Sequence, residues 1–297
     1  MEPVISIIVP HNNIPDLLKR CIDSIPQIDG VEVIIVDDNS NPQIVDFNHF
    51  PGADRQDTTI VLDKSGTGAG HARNIGIQNA RGKWLAFADA DDFFEVGGVE
   101  MMMEYQHSTE DIIFFNCRGV LSENITKEFP RRGRDMYFSL YKKNNDDLPF
   151  RIDWPEPWGK MVKRELVETY GFRFSEVKWG NDVFFQVKIG SQAKAVKIID
   201  KTLYVATLRS GSLCSKLLEG KRPSSEQLRV RLNEAAKVQE YLQSKGMPDH
   251  KQYQKRAWLF FRYYPMLFIP YFVKLLFTDW HKATLFINIA YIKVKTR

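Results

Sequence analysis

Apolar runs that each end on polar residues constrain the fold of this 297-residue chain more than any other feature. Val4 to Val9, Val31 to Val36 and Trp84 to Ala88 are almost unbroken in apolar character, and Thr59 to Leu62 is a shorter run of the same kind. Strands that are apolar at successive positions are buried on both faces, which is the signature of a parallel sheet covered by helices. Helical spacing fills the gaps between them. Leu17, Leu18, Cys21, Ile22 and Ile25 recur on one helical face behind Asn13, a residue suited to capping. Residues 69–80 and 96–107 also read as helix, and Ile112 to Phe115 as a further strand. Strand and helix in alternation predict an α/β fold: a Rossmann-like, mostly parallel sheet flanked by helices.

The pattern loosens after residue 117. Residues 118–217 carry Trp154, Trp158 and Trp179 among prolines and charges, with helices expected at 160–170 and 182–192 and strands at 195–199 and 202–208. Pro223-Ser224-Ser225-Glu226 is a helix start, and the helix is expected to run to Ser244, before Gly246-Met247-Pro248 breaks it. The expected organisation is therefore a domain over 1–217, divided into 1–117 and 118–217, and a helical C-terminal region over 218–297. A hydrophobic content of 43% and a charged content of 26% exclude wholesale disorder. Three separated cysteines (Cys21, Cys117, Cys214) exclude a disulfide framework and a cysteine zinc site, and they fit a reducing compartment. The start lacks a basic segment ahead of its apolar run, so no secretory signal is expected.

In an open parallel sheet, ligands bind beyond the carboxyl ends of the strands. Polar clusters follow three of these ends: Pro10-His11-Asn12-Asn13, Asp37-Asp38-Asn39-Ser40 and Asp89-Ala90-Asp91-Asp92. Three carboxylates in four residues repel one another and call for a cation or strong donors. Oxygen-only ligands suit Mg²⁺ or Mn²⁺. An Asp-rich turn capping the next helix would leave the same trace. A carboxylate such as Asp38 suits a base N–H or a ribose hydroxyl, although an Asx-turn through Asn39 and Ser40 is also consistent with these residues. Gly66-Thr67-Gly68-Ala69-Gly70 opens into a helix, but His71 in the sixth place and the position in the chain exclude a dinucleotide fingerprint. The expected use of these glycines is close backbone approach to a ligand, with Arg73 and the helix N-terminus facing an anion.

Taken together, Val4-Ile5-Ser6-Ile7-Ile8-Val9-Pro10, Val36-Asp37-Asp38-Asn39-Ser40, Ala72-Arg73-Asn74-Ile75-Gly76-Ile77 and Phe87-Ala88-Asp89-Ala90-Asp91-Asp92 resemble the ordered motifs of family-2 glycosyltransferases over residues 4–215. The resemblance implies a GT-A fold and an inverting transfer of a sugar from a nucleoside diphosphate, a UDP-sugar, to a glycan or lipid-linked hydroxyl. It implies that Asp38 reads the nucleobase beside Pro10, that Arg73 lies near the nucleotide and Asp89 near the ribose, and that Asp91 holds Mn²⁺ or Mg²⁺ on the diphosphate. His11 stands where the family has an aromatic residue: either it stacks on the base in its place, or the base specificity differs. Trp179-Gly180-Asn181-Asp182-Val183-Phe184-Phe185 resembles the family's acceptor-side motif. It makes Asp182 the general base, with Asn181 replacing the usual acid beside it. Trp158 is expected to stack on an acceptor sugar, a buried anchor being the alternative, and Arg209-Ser210-Gly211-Ser212 resembles the basic patch over the diphosphate.

Two other readings compete. A sugar-1-phosphate nucleotidyltransferase would need a glycine-rich basic loop after the first strand, which Pro10-His11-Asn12-Asn13 is not. A non-catalytic nucleotide-sugar-binding scaffold draws on His11 and Asn181. The overall charge of +4 also hides a split: residues 251–297 hold nine Lys or Arg against Asp279 alone, a net +8, and thirteen of the 37 aromatics, while the preceding 250 residues carry −4. Prolines and cations interrupt this end, so a spanning helix is not expected. It suits peripheral contact with an anionic membrane, at the inner face of a cytoplasmic membrane, or packing against a second subunit. No nucleic-acid partner is expected.

Overall fold

The computed structural model describes residues 2–129, 132–209, 222–249 and 251–295. The chain divides into two compact units, Met1–Ser215 and Lys216–Arg297.

The first unit is built on one nine-stranded sheet. Its elements are β1 (Ile5–His11), α1 (Pro15–Asp23), β2 (Val31–Asp38), β3 (Thr58–Asp63), α2 (Ala69–Asn79), β4 (Trp84–Phe87), β5 (Phe93–Phe94) and α3 (Gly98–Glu104). There follow β6 (Ile112–Leu121), β7 (Asn124–Glu128), α4 (Arg132–Asn144), α5 (Leu148–Ile152), β8 (Lys160–Lys163), α6 (Arg164–Thr169), α7 (Val183–Gln192) and β9 (Val196–Leu208). The strand order is β3-β2-β1-β4-β8-β6-β9-β5, with β7 paired to β6. The expected α/β class is observed. Strands β3, β2, β1 and β4 are mutually parallel, and every residue of β1, β2 and β4 is buried, as their apolar runs require.

Register sets the site. His11 pairs with Asp37 and Asp38 with Asp63, while Ile8 pairs with Phe87. The polar residues that end these strands therefore share one edge of the sheet. At the opposite edge the buried Glu32 carboxylate accepts from Ser6 Oγ at 2.6 Å, the Arg81 backbone N–H at 2.7 Å and the Arg81 guanidinium at 2.8 Å. Burial pushes this carboxyl up, but the hydrogen bonds from Ser6 and Arg81 outweigh it and hold it below its ordinary value.

Two expectations are corrected. The segment expected as a helix over 160–170 begins as β8, which pairs antiparallel with β4 and β6, and only Arg164–Thr169 is helical. Met161 and Val162 are fully buried between those strands, a tertiary demand that overrides helical propensity. The strands expected at 195–199 and 202–208 are one strand, β9, paired parallel to β6. The register shift around Phe115 and Asn116 absorbs the exposed Asp200-Lys201 pair.

The second unit is helical: α8 (Ser225–Ser244), α9 (Lys251–Tyr263), α10 (Pro265–Thr278) and α11 (Trp280–Lys295). Ser224 caps α8 by accepting from the Gln227 N–H at 3.1 Å. Leu228, Leu232, Tyr253, Phe260, Phe268 and Phe286 form its core. Pro265 occupies the first turn of α10, where its missing N–H costs nothing. Among the described residues, no helix is long and apolar enough to cross a membrane.

Candidate active site

The two neighbouring acids that end β2 divide the work between them. Asp37 makes the turn: it accepts from the Ser40 N–H at 3.0 Å, Ser40 Oγ at 2.6 Å and His11 Nδ1 at 2.8 Å. Burial raises its carboxyl, yet the bonds from His11 and Ser40 prevail and keep it below the ordinary value. Asp38 is the contrast. It is almost fully buried, its Oδ1 has no hydrogen-bond partner, and burial pushes its carboxyl up against a backbone hydrogen bond from Gly68. An orphaned buried carboxylate oxygen is costly unless a ligand donor completes it.

His11 corrects the expectation that it stacks on a base. Pro10 is buried within β1, and the His11 side chain has no exposed surface. His11 Nδ1 donates to Asp37 while Nε2 accepts from the Ile14 N–H at 3.2 Å, and the ring packs edge-on to Phe50. Both nitrogens are bonded in the ring plane and the ring itself is fully buried, so the imidazole fixes the turn that presents Asp38 and offers no stacking face.

The three acids after β4 also separate. Asp89 Oδ1 accepts from Arg73 Nη2 at 2.5 Å, and the Asp89 N–H donates to Tyr204 Oη at 2.8 Å. Asp91 Oδ2 accepts from Arg209 Nε at 3.2 Å. Burial and the neighbouring Asp89 charge push the Asp91 carboxyl up, with Arg209 opposing them. Asp92 is structural: it is buried and accepts from the Thr207 N–H at 2.6 Å, which pins β9 beneath the acidic turn. Ser210, Gly211 and Ser212, the rest of the expected basic patch, lie outside the described residues.

Helix α2 links this edge to the segment ahead of α7. Arg73 Nη1 donates to Asn181 Oδ1 at 3.0 Å, and its guanidinium lies over the Phe174 ring. Arg73 is only 5% exposed and its Nε has no partner. Asn74 exchanges two hydrogen bonds with the Phe174 backbone, at 2.8 and 3.1 Å. His71 Nδ1 contacts Glu176 at 2.9 Å. Gly70 sits so close to this segment that a Cβ there would lie 2.2 Å from the Ser175 carbonyl oxygen. That glycine therefore admits the protein's own backbone, which corrects the expectation of a ligand approach at this position. Behind the segment, Phe174 stacks on Phe185 at 4.0 Å and Phe87 packs edge-on against both, which fixes α7 to β4.

Asp182 stands at the N-terminal end of α7, half-buried, without capping its own helix through its side chain. Its neighbour Asn181 is held by Arg73 and donates to the Val177 carbonyl at 3.3 Å. Trp158 is corrected: it is 3% exposed and stacks on Tyr204 at 5.3 Å. It therefore supports the tyrosine that holds the Asp89 backbone and does not face an acceptor. Tyr204 and Asn74 are positioning residues that sequence reasoning passed over. Asp63 was passed over as well, although it is the acid that ends the third parallel strand; it lies 3.6 Å from His71 Nε2.

The donor set around Asp91 consists of hard oxygens, and its carboxyl is crowded by a second negative charge. These residues fit a divalent cation. Among the described residues, no preformed group of three or more His, Cys, Asp or Glu side chains could hold a metal by itself. A cation at Asp91 would take ligands beyond these described side chains, as a magnesium-type ion shared with phosphates does.

Paired acids and an arginine at the carboxyl edge of parallel strands stand where an α/β sheet takes its ligand. The chain belongs to glycosyl transferase family 2, whose model matches residues 6–171. It is 26% identical to the glycosyltransferase GlyA of Streptococcus pneumoniae over 72% of this chain, but spans only 32% of that protein. It is 24% identical to the putative glycosyltransferase EpsH of Bacillus subtilis, over 80% of this chain and 72% of the relative. Residues 1–349 of S. aureus TarS, solved with UDP-GlcNAc, share the fold: TM-score 0.61 and 20% identity, covering 86% of this chain and 70% of that one.

Proposed function

We propose that this chain moves a sugar from a nucleoside-diphosphate donor, a UDP-sugar, to a hydroxyl of a glycan or lipid-linked acceptor, with inversion at the anomeric carbon. One observation carries the reading: Asp38, with its orphaned buried oxygen, stands on the same strand-end edge as Asp89 and Asp91 in a family 2 chain. Asp38 accepts from the nucleobase, and Asp89, held by Arg73, accepts from the ribose. Asp91 holds Mn²⁺ or Mg²⁺, which when bound supplies positive charge to the diphosphate. Arg209 adds a fixed cation against the same leaving group. Asp182 takes the proton of the acceptor hydroxyl as its oxygen attacks the anomeric carbon, and the glycosidic electron pair leaves with the nucleoside diphosphate. Arg73, through Asn181, keeps the base-bearing segment in register with the donor edge.

The TarS complex with UDP-GlcNAc and the poly(ribitol-phosphate) β-glucosyltransferase of Bacillus spizizenii, 26% identical over 70% of this chain and 33% of its own length, support a UDP-sugar donor and a surface-polymer acceptor. Residues 251–297 make peripheral contact at the inner face of the membrane. A thermal-shift screen of nucleotide sugars, followed by hydrolysis assays of those that stabilise, tests the proposal, because a ligand that binds only the folded state raises the melting temperature. Stabilisation by UDP-sugars with turnover supports it. Binding without turnover would make the chain a scaffold, and no nucleotide binding would overturn the reading.

A further inference from the structure

The second unit buries the wrong amount of one helix. α10 is apolar on nearly every side, with Lys274 its only charge among Pro265–Thr278. A helix apolar all round belongs in a core, yet only Phe268 and Leu275 of α10 are buried. The opposite face, one hundred degrees per residue around the axis, is Met266, Pro270, Val273 and Phe277, flanked by Ile269 and Leu267. Met266 is 79% exposed and Phe277 85% exposed, and Trp280 beyond the helix end is 63% exposed. Contiguous exposed apolar surface of this kind marks an interaction site.

Charge decides the occupant. Lys274 lies beside the stripe, and Arg262 is exposed in the last turn of α9, one residue pair ahead of Pro265. The segment that carries the stripe has a net charge of +8 with a single acid. Two copies meeting through this face would bring like charges together, whereas an anionic bilayer satisfies both the apolar stripe and its cations. Fourteen residues of helix extend about 21 Å, too short to span but suited to lying in the interface. A tryptophan at the end of such a helix belongs at headgroup level.

We propose that α10 is the membrane-contact element of this protein, lying in the plane of an anionic lipid surface with Met266, Val273 and Phe277 inserted and Lys274, Arg262 and Trp280 at the headgroups. This deepens the reading of residues 251–297 as membrane-facing and is independent of the donor-site assignments. The test is co-sedimentation of the full chain with vesicles of phosphatidylcholine alone and of phosphatidylcholine with about 30% phosphatidylglycerol, the anionic fraction supplying the attraction. The chain is expected to sediment with the anionic vesicles, less so at high salt, and to stay in solution with the neutral ones. V273D/F277D, two changes at exposed positions, is expected to lower partitioning at least about tenfold, and K274E to lower it less. The melting temperature of each variant reports its folding, and UDP binding, read separately, reports the donor site. Equal binding by V273D/F277D, or no binding of the parent chain to either vesicle, overturns the proposal. So does a concentration-dependent dimer that V273D/F277D abolishes, which would make a second copy the occupant.

Discussion

The Arg73 guanidinium binds Asn181 at 3.0 Å while its second terminal nitrogen binds Asp89 at 2.5 Å. One side chain on α2 thus spans from the acidic end of β4 to the residue beside Asp182. A planar fork with two fixed directions can make this bridge, and a lysine ammonium cannot make it in the same geometry. The neutral Asn181 leaves Asp89 as the carboxylate in direct contact with Arg73, which concentrates the interaction at the end of β4.

R73K is therefore not conservative. It is expected to lower kcat for transfer about 100-fold through misplacement of both partners, with a smaller change in melting temperature than R73A, which leaves Asp89 without its cation. Steady-state kinetics with a thermal melt on each variant check this. A near-parental kcat for R73K would remove the bridge from the mechanism.

D182N separates binding from chemistry. If Asp182 is the proposed base acting on the acceptor hydroxyl, transfer falls by about 10²–10⁴-fold while the affinity for UDP is unchanged. Single-turnover rates and UDP titrations on one preparation decide it, and a parental rate would return Asp182 to an ordinary helix-end acid.

W158A distinguishes a support from an acceptor platform. With Trp158 buried and stacked on Tyr204, its removal is expected to cost about 3–5 kcal/mol of stability, seen as an earlier denaturant midpoint. A platform residue would instead leave the midpoint in place and raise the acceptor KM alone.

The sheet was legible because its evidence is local. Nearly continuous apolar runs at Val4, Val31 and Trp84, broken only by Ser6 and Glu32, point to buried parallel strands, and the acids at their ends follow from that. Partner choice was not legible. Asp37 and Asp38 are adjacent and chemically identical in sequence, yet one closes a turn with Ser40 and the other keeps an orphaned oxygen, because the pleat sends them opposite ways. Nothing local to Trp158 announces Tyr204, forty-six residues on, and nothing at Gly70 announces the Ser175 carbonyl. The strand character of Lys160–Lys163 comes from the gap between β4 and β6. His11 misled for a related reason: the position matched a family aromatic, but Asp37 and the Ile14 N–H claim both of its nitrogens.

His71 and Glu176 give the account a pH dependence. The hydrogen bond from His71 holds the Glu176 carboxyl below its ordinary value, and the same bond raises the imidazole above its own. The raised histidine stabilises the fold fully below its unfolded pKa, and that contribution is lost as pH rises through the folded value. The lowered glutamate contributes above its unfolded pKa and loses its contribution as pH falls through the folded value. Stability from this pair is therefore expected to decline as pH rises past the ordinary histidine range, near 6.5, and through the raised folded value of His71. H71Q should flatten that part of the profile, and an unchanged slope in H71Q melts would assign it to other groups.

The central claim, that the carboxyl edge of β2 and β4 is a nucleotide-sugar site, is tested most directly by calorimetric titration of UDP in the presence of Mn²⁺ into the parent chain, D38N and D91N. The predicted result is saturable one-to-one binding by the parent chain, weakened at least about tenfold in D38N by loss of a charged hydrogen-bond partner and nearly abolished in D91N, with melting temperatures close to parental. Absence of binding by the parent chain, or equal affinity in all three proteins, would contradict it.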